Sequence, residues 1–333
     1  MADPMPIDCP ECSEGNDPVS RRDFVRALGG AALAGGLLPR LGAASQIAAV
    51  ARKADPESLV KRFHDTLTAE QKKIVCMPWS DPKRTRINAN WAITEMTFDD
   101  LKKDQQAIVD EIFRGVTSPD GYDRFQKQMK DDHGGMGSYS VALFGEPGSG
   151  QYEWVMTGRH LTIRADGDST EGAAFGGPII YGHGEGDSKK GLPGNVFYYQ
   201  TKKANEVFTA LDGKQREKAL VAKAPAEARV QLQGEKGKFQ GIRVGDMSSD
   251  QKALVESTMK ILLAPYREKD VNEALEVMKA GGGLDALNMA FYEADDIGGD
   301  HEWDLWRLEG PTFVWHFRGA PHVHAYVNVS KKV

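Results

Sequence analysis

The stretch Trp303-Asp304-Leu305-Trp306-Arg307-Leu308-Glu309-Gly310-Pro311-Thr312-Phe313-Val314-Trp315-His316-Phe317-Arg318-Gly319-Ala320-Pro321-His322-Val323-His324-Ala325-Tyr326-Val327-Asn328-Val329 decides how this chain reads. Two β-type runs flank Gly310-Pro311, and a third follows Gly319-Ala320-Pro321. Residues i and i+2 of a strand share a face. His322 and His324 therefore present two imidazoles side by side, at about the span one metal ion needs. His316 alternates with Val314 and Arg318 on the preceding run, and Phe313, Trp315 and Phe317 take the other, core-facing side. Four of the eight histidines fall between residues 301 and 324, the densest chemical signal in the sequence.

Working back from this stretch, residues 136–182 read as more of the same sheet. Tyr139–Phe144, Tyr152–Thr157 and His160–Arg164 form a meander with turns at Glu146-Pro147-Gly148-Ser149-Gly150 and Gly158-Arg159. His160 opens its strand beside a glycine turn and is a candidate third ligand. Phe175 to Tyr181 reads as a strand running into a glycine-rich loop with His183 and Glu185. That loop matches neither a phosphate loop nor a dinucleotide fingerprint. Leu287–Glu293 is a further strand.

The remaining pattern is helical. Leu59, Val60, Phe63 and Leu67 recur at helical spacing. Thr68–Gln71, Asp212–Gln215 and Ser248–Gln251 share one capping-box offset, which marks three helix starts. Because the flanking segments differ, repeated use of one capping device is a better account than an internal repeat. Thr97–Asp100 predicts a helix to about Phe113, and Ser118-Pro119 one to about Lys130. Asp131-Asp132-His133-Gly134-Gly135 reads as a helix end rather than a metal site. Helices follow at 196–211, 212–221, 248–266 and 269–280, with a strand-and-turn linker at 224–245. The predicted class is α+β: a mainly antiparallel sheet, with helices inserted between its middle and C-terminal strands.

At the other end, Ser20-Arg21-Arg22-Asp23-Phe24-Val25 resembles a twin-arginine export motif. A mild apolar run to Leu38 and the small residues Gly42-Ala43-Ala44 follow it. That route carries folded cargo, often with a cofactor already loaded. The expected organisation is a signal over 1–45, a linker over 46–54 and one domain over 55–333. The expected location is periplasmic or otherwise exported, with the twin-arginine translocase as a transient partner. No stretch reaches transmembrane length. With 42 basic against 48 acidic residues and a net charge of −6, no basic face points to nucleic acid. Cys9 and Cys12 precede the cleavage region, and Cys76 alone reads as a structural thiol.

The chain resembles the family known as domain of unknown function 3500. The matching motifs are Leu67-Thr-Ala-Glu-Gln71, Ser118-Pro-Asp-Gly-Tyr122, Gly158-Arg-His-Leu161, Gly191-Leu-Pro-Gly194, Arg307-Leu-Glu-Gly-Pro311 and His322-Val-His324, within a span of about Leu59 to Val329. The resemblance implies no established activity. It does imply pairing His160 with the two histidines of the last strand. Arg159 stands where the family usually has a second histidine, and Ala325–Asn328 replace a Trp-Arg type pair. No further ligand or anion-binding role is therefore carried over to Arg159 or Asn328.

These readings converge on one transition-metal ion (zinc, copper or iron) held by His160, His322 and His324, with His316 as a fourth candidate. Glu302, Asp304 and Glu309 are nearby carboxylates able to hold a ligand imidazole's second nitrogen. A three-histidine ion leaves an open position for hydrolytic or oxidative chemistry on a small-molecule substrate. The alternative is a non-catalytic periplasmic protein that handles metal or binds a ligand. A third reading has His322 and His324 facing solvent on an edge strand. A nucleophile-based hydrolase lacks its motif.

Overall fold

The computed structural model describes residues 55–331 apart from 149, 185–193, 297, 298 and 300. The segments expected to be an export signal, with Cys9 and Cys12, and a linker lie outside the described residues, as does Glu185. Among those described, eight α-helices accompany an eleven-stranded sheet. The sheet is antiparallel except at two short edge pairings. The class is therefore α+β, as the patterning predicts.

In chain order the first half runs α1 (Pro56–Thr66), α2 (Ala69–Val75), β1 (Cys76–Met77), α3 (Lys103–Val116), α4 (Pro119–His133), β2 (Ser140–Gly145), β3 (Tyr152–Gly158), β4 (Leu161–Ala165) and β5 (Ile179–His183). The second half runs α5 (Tyr199–Ala210), α6 (Gly213–Ala219), β6 (Leu220–Val221), β7 (Ile242–Arg243), α7 (Ser249–Leu263), α8 (Glu268–Ala280), β8 (Asn288–Tyr292), β9 (Leu305–Gly310), β10 (Phe313–Arg318) and β11 (Val323–Val329). Apart from β7, the second half repeats the first element for element. The sheet order is β1-β2-β3-β4-β5-β11-β10-β9-β8-β6, with β7 on β8, so the halves join back to back along antiparallel β5 and β11.

Three capping boxes form as predicted, at Thr68, Asp212 and Ser248. Their recurrence marks this repeat rather than one reused device. Leu101-Lys-Lys-Asp-Gln-Gln-Ala-Ile-Val109 and Met247-Ser-Ser-Asp-Gln-Lys-Ala-Leu-Val255 open equivalent helices and keep Asp, Gln, Ala and Val in register. The segment from Thr97 is not one helix. A 3-10 turn covers Phe98–Asp100, and α3 starts afresh after Lys102, whose N–H is capped by the Gln105 side chain.

The strands alternate as expected. Trp315, Phe317, Val323, Ala325 and Val327 face the main core beneath the helices. Val314, Tyr326 and Ile180 face the opposite side, where Ala89 and Val230 cover them from two largely irregular stretches. Cys76 is not inside a helix. It ends α2, opens β1 and is half-buried, and burial raises its thiol pKa. No helix among the described residues is long and apolar enough to cross a membrane.

Candidate metal centre

β11 lies inside the sheet, between β5 and β10. His322 and His324 are therefore buried, at 2% and 0% exposure, and the edge-strand reading falls. His322 sits one residue before β11 in the turn from β10. His324 is within the strand, opposite Arg318 on one side and Gly182 on the other. His160 arrives from the β3–β4 turn at the same end of the sheet and is also fully buried. Its φ of 56° is left-handed, an uncommon conformation for a residue with a β-carbon. The turn is held by the His160 N–H, which donates to Ala89 O at 2.6 Å. Gly182 makes the approach possible: a β-carbon there would lie 2.2 Å from Val323 O and 3.3 Å from His160 Cβ.

The three rings form a near-equilateral triangle. Centroid separations are 4.9 Å for His160–His322, 4.8 Å for His160–His324 and 4.7 Å for His322–His324. One ring nitrogen from each lies within 4.8 Å of the others, and His322 Nε2 and His324 Nε2 are 3.0 Å apart. Tetrahedral donors about 2.0–2.1 Å from one ion sit about 3.4 Å apart, a spacing that these values bracket.

Two carboxylates orient the rings. His160 Nδ1–H donates to Asp132 Oδ2 at 2.7 Å, and His324 Nδ1–H to Glu227 Oε2 at 2.8 Å. Each pairing fixes a tautomer that leaves the Nε2 lone pair for a cation. Asp132 comes from the last turn of α4, and its side chain is 2% exposed. It also accepts from Gln128 Nε2 and from Gly184 N, both at 2.8 Å. Burial opposes its charge, but the hydrogen bond and charge from His160 outweigh that and hold its carboxyl below the usual range. Burial lowers His160 to about 4 despite Asp132. Burial, with Arg318 next, puts His324 well below the usual value. Both imidazoles are neutral near pH 7, as ligation requires.

A cation already touches the group. Arg318 Nη2 lies 2.8 and 3.0 Å from the two nitrogens of His324 and 3.3 Å from His322 Nε2, while Arg318 Nη1 pairs with Glu227 Oε1 at 3.1 Å.

The structure places the other candidates elsewhere. His316 shares the sheet face but lies two residues further along β10, opposite Tyr326 and Arg307. Its Nδ1 accepts from Arg307 Nε at 3.2 Å, and it is not among the three histidines that converge. Glu302 accepts from Tyr198 Oη at 3.0 Å, and Glu309 from Gln233 Nε2 at 2.9 Å. Asp304 is buried, and its backbone carbonyl accepts from Gly319 N at 2.6 Å. His183 is buried but bonds Asp131 at 3.1 Å and Val196 N at 3.0 Å instead. His133 ends α4 and stays exposed, before Gly134 with φ 76°, so the helix-end reading holds for His133, while Asp132 of the same segment turns to His160.

The matched profile spans residues 51–329, most of the chain and every residue of this site, under the description Protein of unknown function (DUF3500). The chain belongs to that family. No curated protein and no solved structure matches it significantly. Asp132, Glu227 and Arg318 of this DUF3500 chain join the site without having been expected there from the sequence pattern. Asp132 stands beside His133 in the sequence, in the last turn of α4. Glu227 lies in an irregular stretch and carried no local signal.

Proposed function

We propose that this DUF3500 protein is exported and that His160, His322 and His324 hold one transition-metal ion that does chemistry on a small molecule. One observation carries the reading: three buried imidazoles converge, and two of them have their second nitrogen on a buried carboxylate. Nitrogen donors of this kind suit zinc, copper or iron. Three protein ligands leave a coordination position open to water, oxygen or substrate. Bound there, the ion would supply a metal-activated hydroxide for hydrolysis or, as copper or iron, a redox centre. Asp132 and Glu227 would hold the imidazoles in place, and the buried surroundings would limit water. Carriage as a folded, loaded protein along a twin-arginine route fits this reading.

The near-complete burial of all three rings favours a second reading, in which the ion is stored or passed on without turnover. Elemental analysis of the full chain, produced with its own export segment, tests both. The expected result is one metal per chain, lost in His322→Ala and in His324→Ala. Metal retained by both variants would sink the assignment. Slow metal exchange with no turnover on any ester, phosphoester or oxidisable phenol would select the second reading.

A further inference from the structure

A cavity of about 370 Å³ opens beside His160, lined by Asp131, Asp132, Arg159 and Gly184. The two carboxylates on its wall are engaged. Asp131 takes Lys127 and His183. Asp132 takes His160, Gln128 and Gly184 N. The half-buried Arg159 guanidinium makes no hydrogen bond or ion pair among the described residues, although its backbone is fixed. Tyr139 Oη and Gln128 Nε2 both donate to the Arg159 carbonyl, at 2.7 and 3.0 Å. Arg159 is thus a positioned cation with an uncommitted donor fork.

Gly184 sits where the walls of this cavity come closest to His160. A β-carbon on residue 184 would sit 2.7 Å from Asp132 Oδ1, 3.2 Å from His160 Cε1 and 3.5 Å from Arg159 Nη2. No side chain fits there, so residue 184 stays a bare glycine on the cavity wall between His160 and Arg159. A planar fork recognises carboxylate or phosphate through paired, charge-assisted hydrogen bonds. The cavity is at the small end of the range for ligand pockets, which limits the occupant to a small molecule.

We propose that Arg159 anchors the substrate, and that the substrate is a small molecule bearing a carboxylate or phosphate group. The anionic end rests on Arg159, and the remainder extends past Gly184 toward the three histidines. The link to chemistry rests on the metal-centre reading; the anion contact itself does not.

Calorimetric titration of the full chain with acetate and, separately, with inorganic phosphate tests this. The variants are Arg159→Gln, Arg159→Lys and His322→Ala, with metal content measured on each sample. The expected result is saturable one-to-one binding of one anion. Arg159→Gln weakens it at least about tenfold, the loss of one charge-assisted contact, and Arg159→Lys weakens it less. Preference for phosphate or acetate identifies the group. The melting temperature of Arg159→Gln stays at the parent value, because the side chain braces nothing. Absence of saturable binding for both anions overturns the proposal, as does equal affinity in the parent and Arg159→Gln. If the parent holds no metal but Arg159→Gln still loses the anion, the metal reading falls and this one stands. If metal is stoichiometric and Arg159→Gln binds like the parent, this proposal falls alone.

Discussion

His160 Nδ1 lies 2.7 Å from Asp132 Oδ2, and both side chains are shut away from solvent. A carboxylate in that position sets which imidazole nitrogen faces the other two histidines. Asp132→Asn keeps the size but removes the charge. Metal affinity should fall about 10–100-fold, the usual cost of losing such a partner. Competition against a chromogenic chelator reads this directly, and an unchanged affinity would show that the pair has no role in ligation.

His160 is both a proposed ligand and the left-handed residue of its turn. Asparagine tolerates that conformation better than most residues. His160→Asn should therefore melt close to the parent in the absence of metal, yet lose the metal-dependent rise in melting temperature. His160→Val should unfold earlier, since a β-branched residue is strained at positive φ. A metal-dependent rise that survives in His160→Asn would exclude His160 from the ligand set.

Arg318 places a positive charge against His322 and His324. At an effective dielectric of 20, two unit charges about 4 Å apart repel by about 4 kcal/mol, and Glu227 offsets part of this. Arg318→Gln should tighten metal binding by at least about tenfold. Weaker binding in this variant would mean that the guanidinium braces the site instead of competing with the ion.

Acid should destabilise the metal-free protein through its buried imidazoles. His160 falls to about 4 in the fold, against an ordinary histidine value near 6.5. The unfolded chain thus binds more protons in between, so the stabilisation present above about pH 6.5 is lost as pH drops toward 4. His324 and His316, both lowered well below the usual value by burial first, act in the same direction. Urea midpoints measured from pH 7 down to pH 4 should fall less steeply in His316→Gln than in the parent; equal slopes would contradict this.

Glu273 works in the opposite sense. Burial first, then the charges of Asp168, Asp270 and Asp166, raise it to about 7, and burial raises Asp166 to about 6. A carboxyl raised in the fold stabilises while protonated, and that contribution is lost as pH climbs through 7. Glu273→Gln should therefore gain melting temperature over the parent at pH 8 and little at pH 5. No pH dependence in that difference would refute the coupling.

Much of the fold was legible because its signals are local. Strand alternation around Trp315 and His316 assigned the two sheet faces, and capping boxes located three helix starts. The repeat left only short traces in the sequence, the recurring capping box and the shared register of 101–109 and 247–255, and the rest of what the halves share is spatial. Gln71 and Gln105 exchange amide hydrogen bonds at 2.9 Å in the first half, and Gln215 and Gln251 do so at 3.1 and 2.8 Å in the second. Gln105 also donates to Thr66 O, and Gln251 to Ala210 O, each at the end of the matching helix. Thr312 occupies the turn position in the second half that His160 holds in the first, so among the described residues the centre exists once. The histidines were readable by spacing and resemblance, whereas Asp132 and Glu227 reach them across the fold and leave no pattern in the chain.

β11 is the eleventh strand in sequence and lies next to β5 at the middle of the sheet. A ribosome must finish all ten earlier strands before the slot between β5 and β10 is filled. Until then neither half has its partner edge, and two of the three histidines have not been made. Completion of the sheet and completion of the histidine triangle are therefore one event. A chain cut short before Val323 would expose the open edge of β5 and hold at most two of the three imidazoles. Possession of the centre would then certify that the chain had been made at least as far as His324 and that the two halves of the sheet had closed.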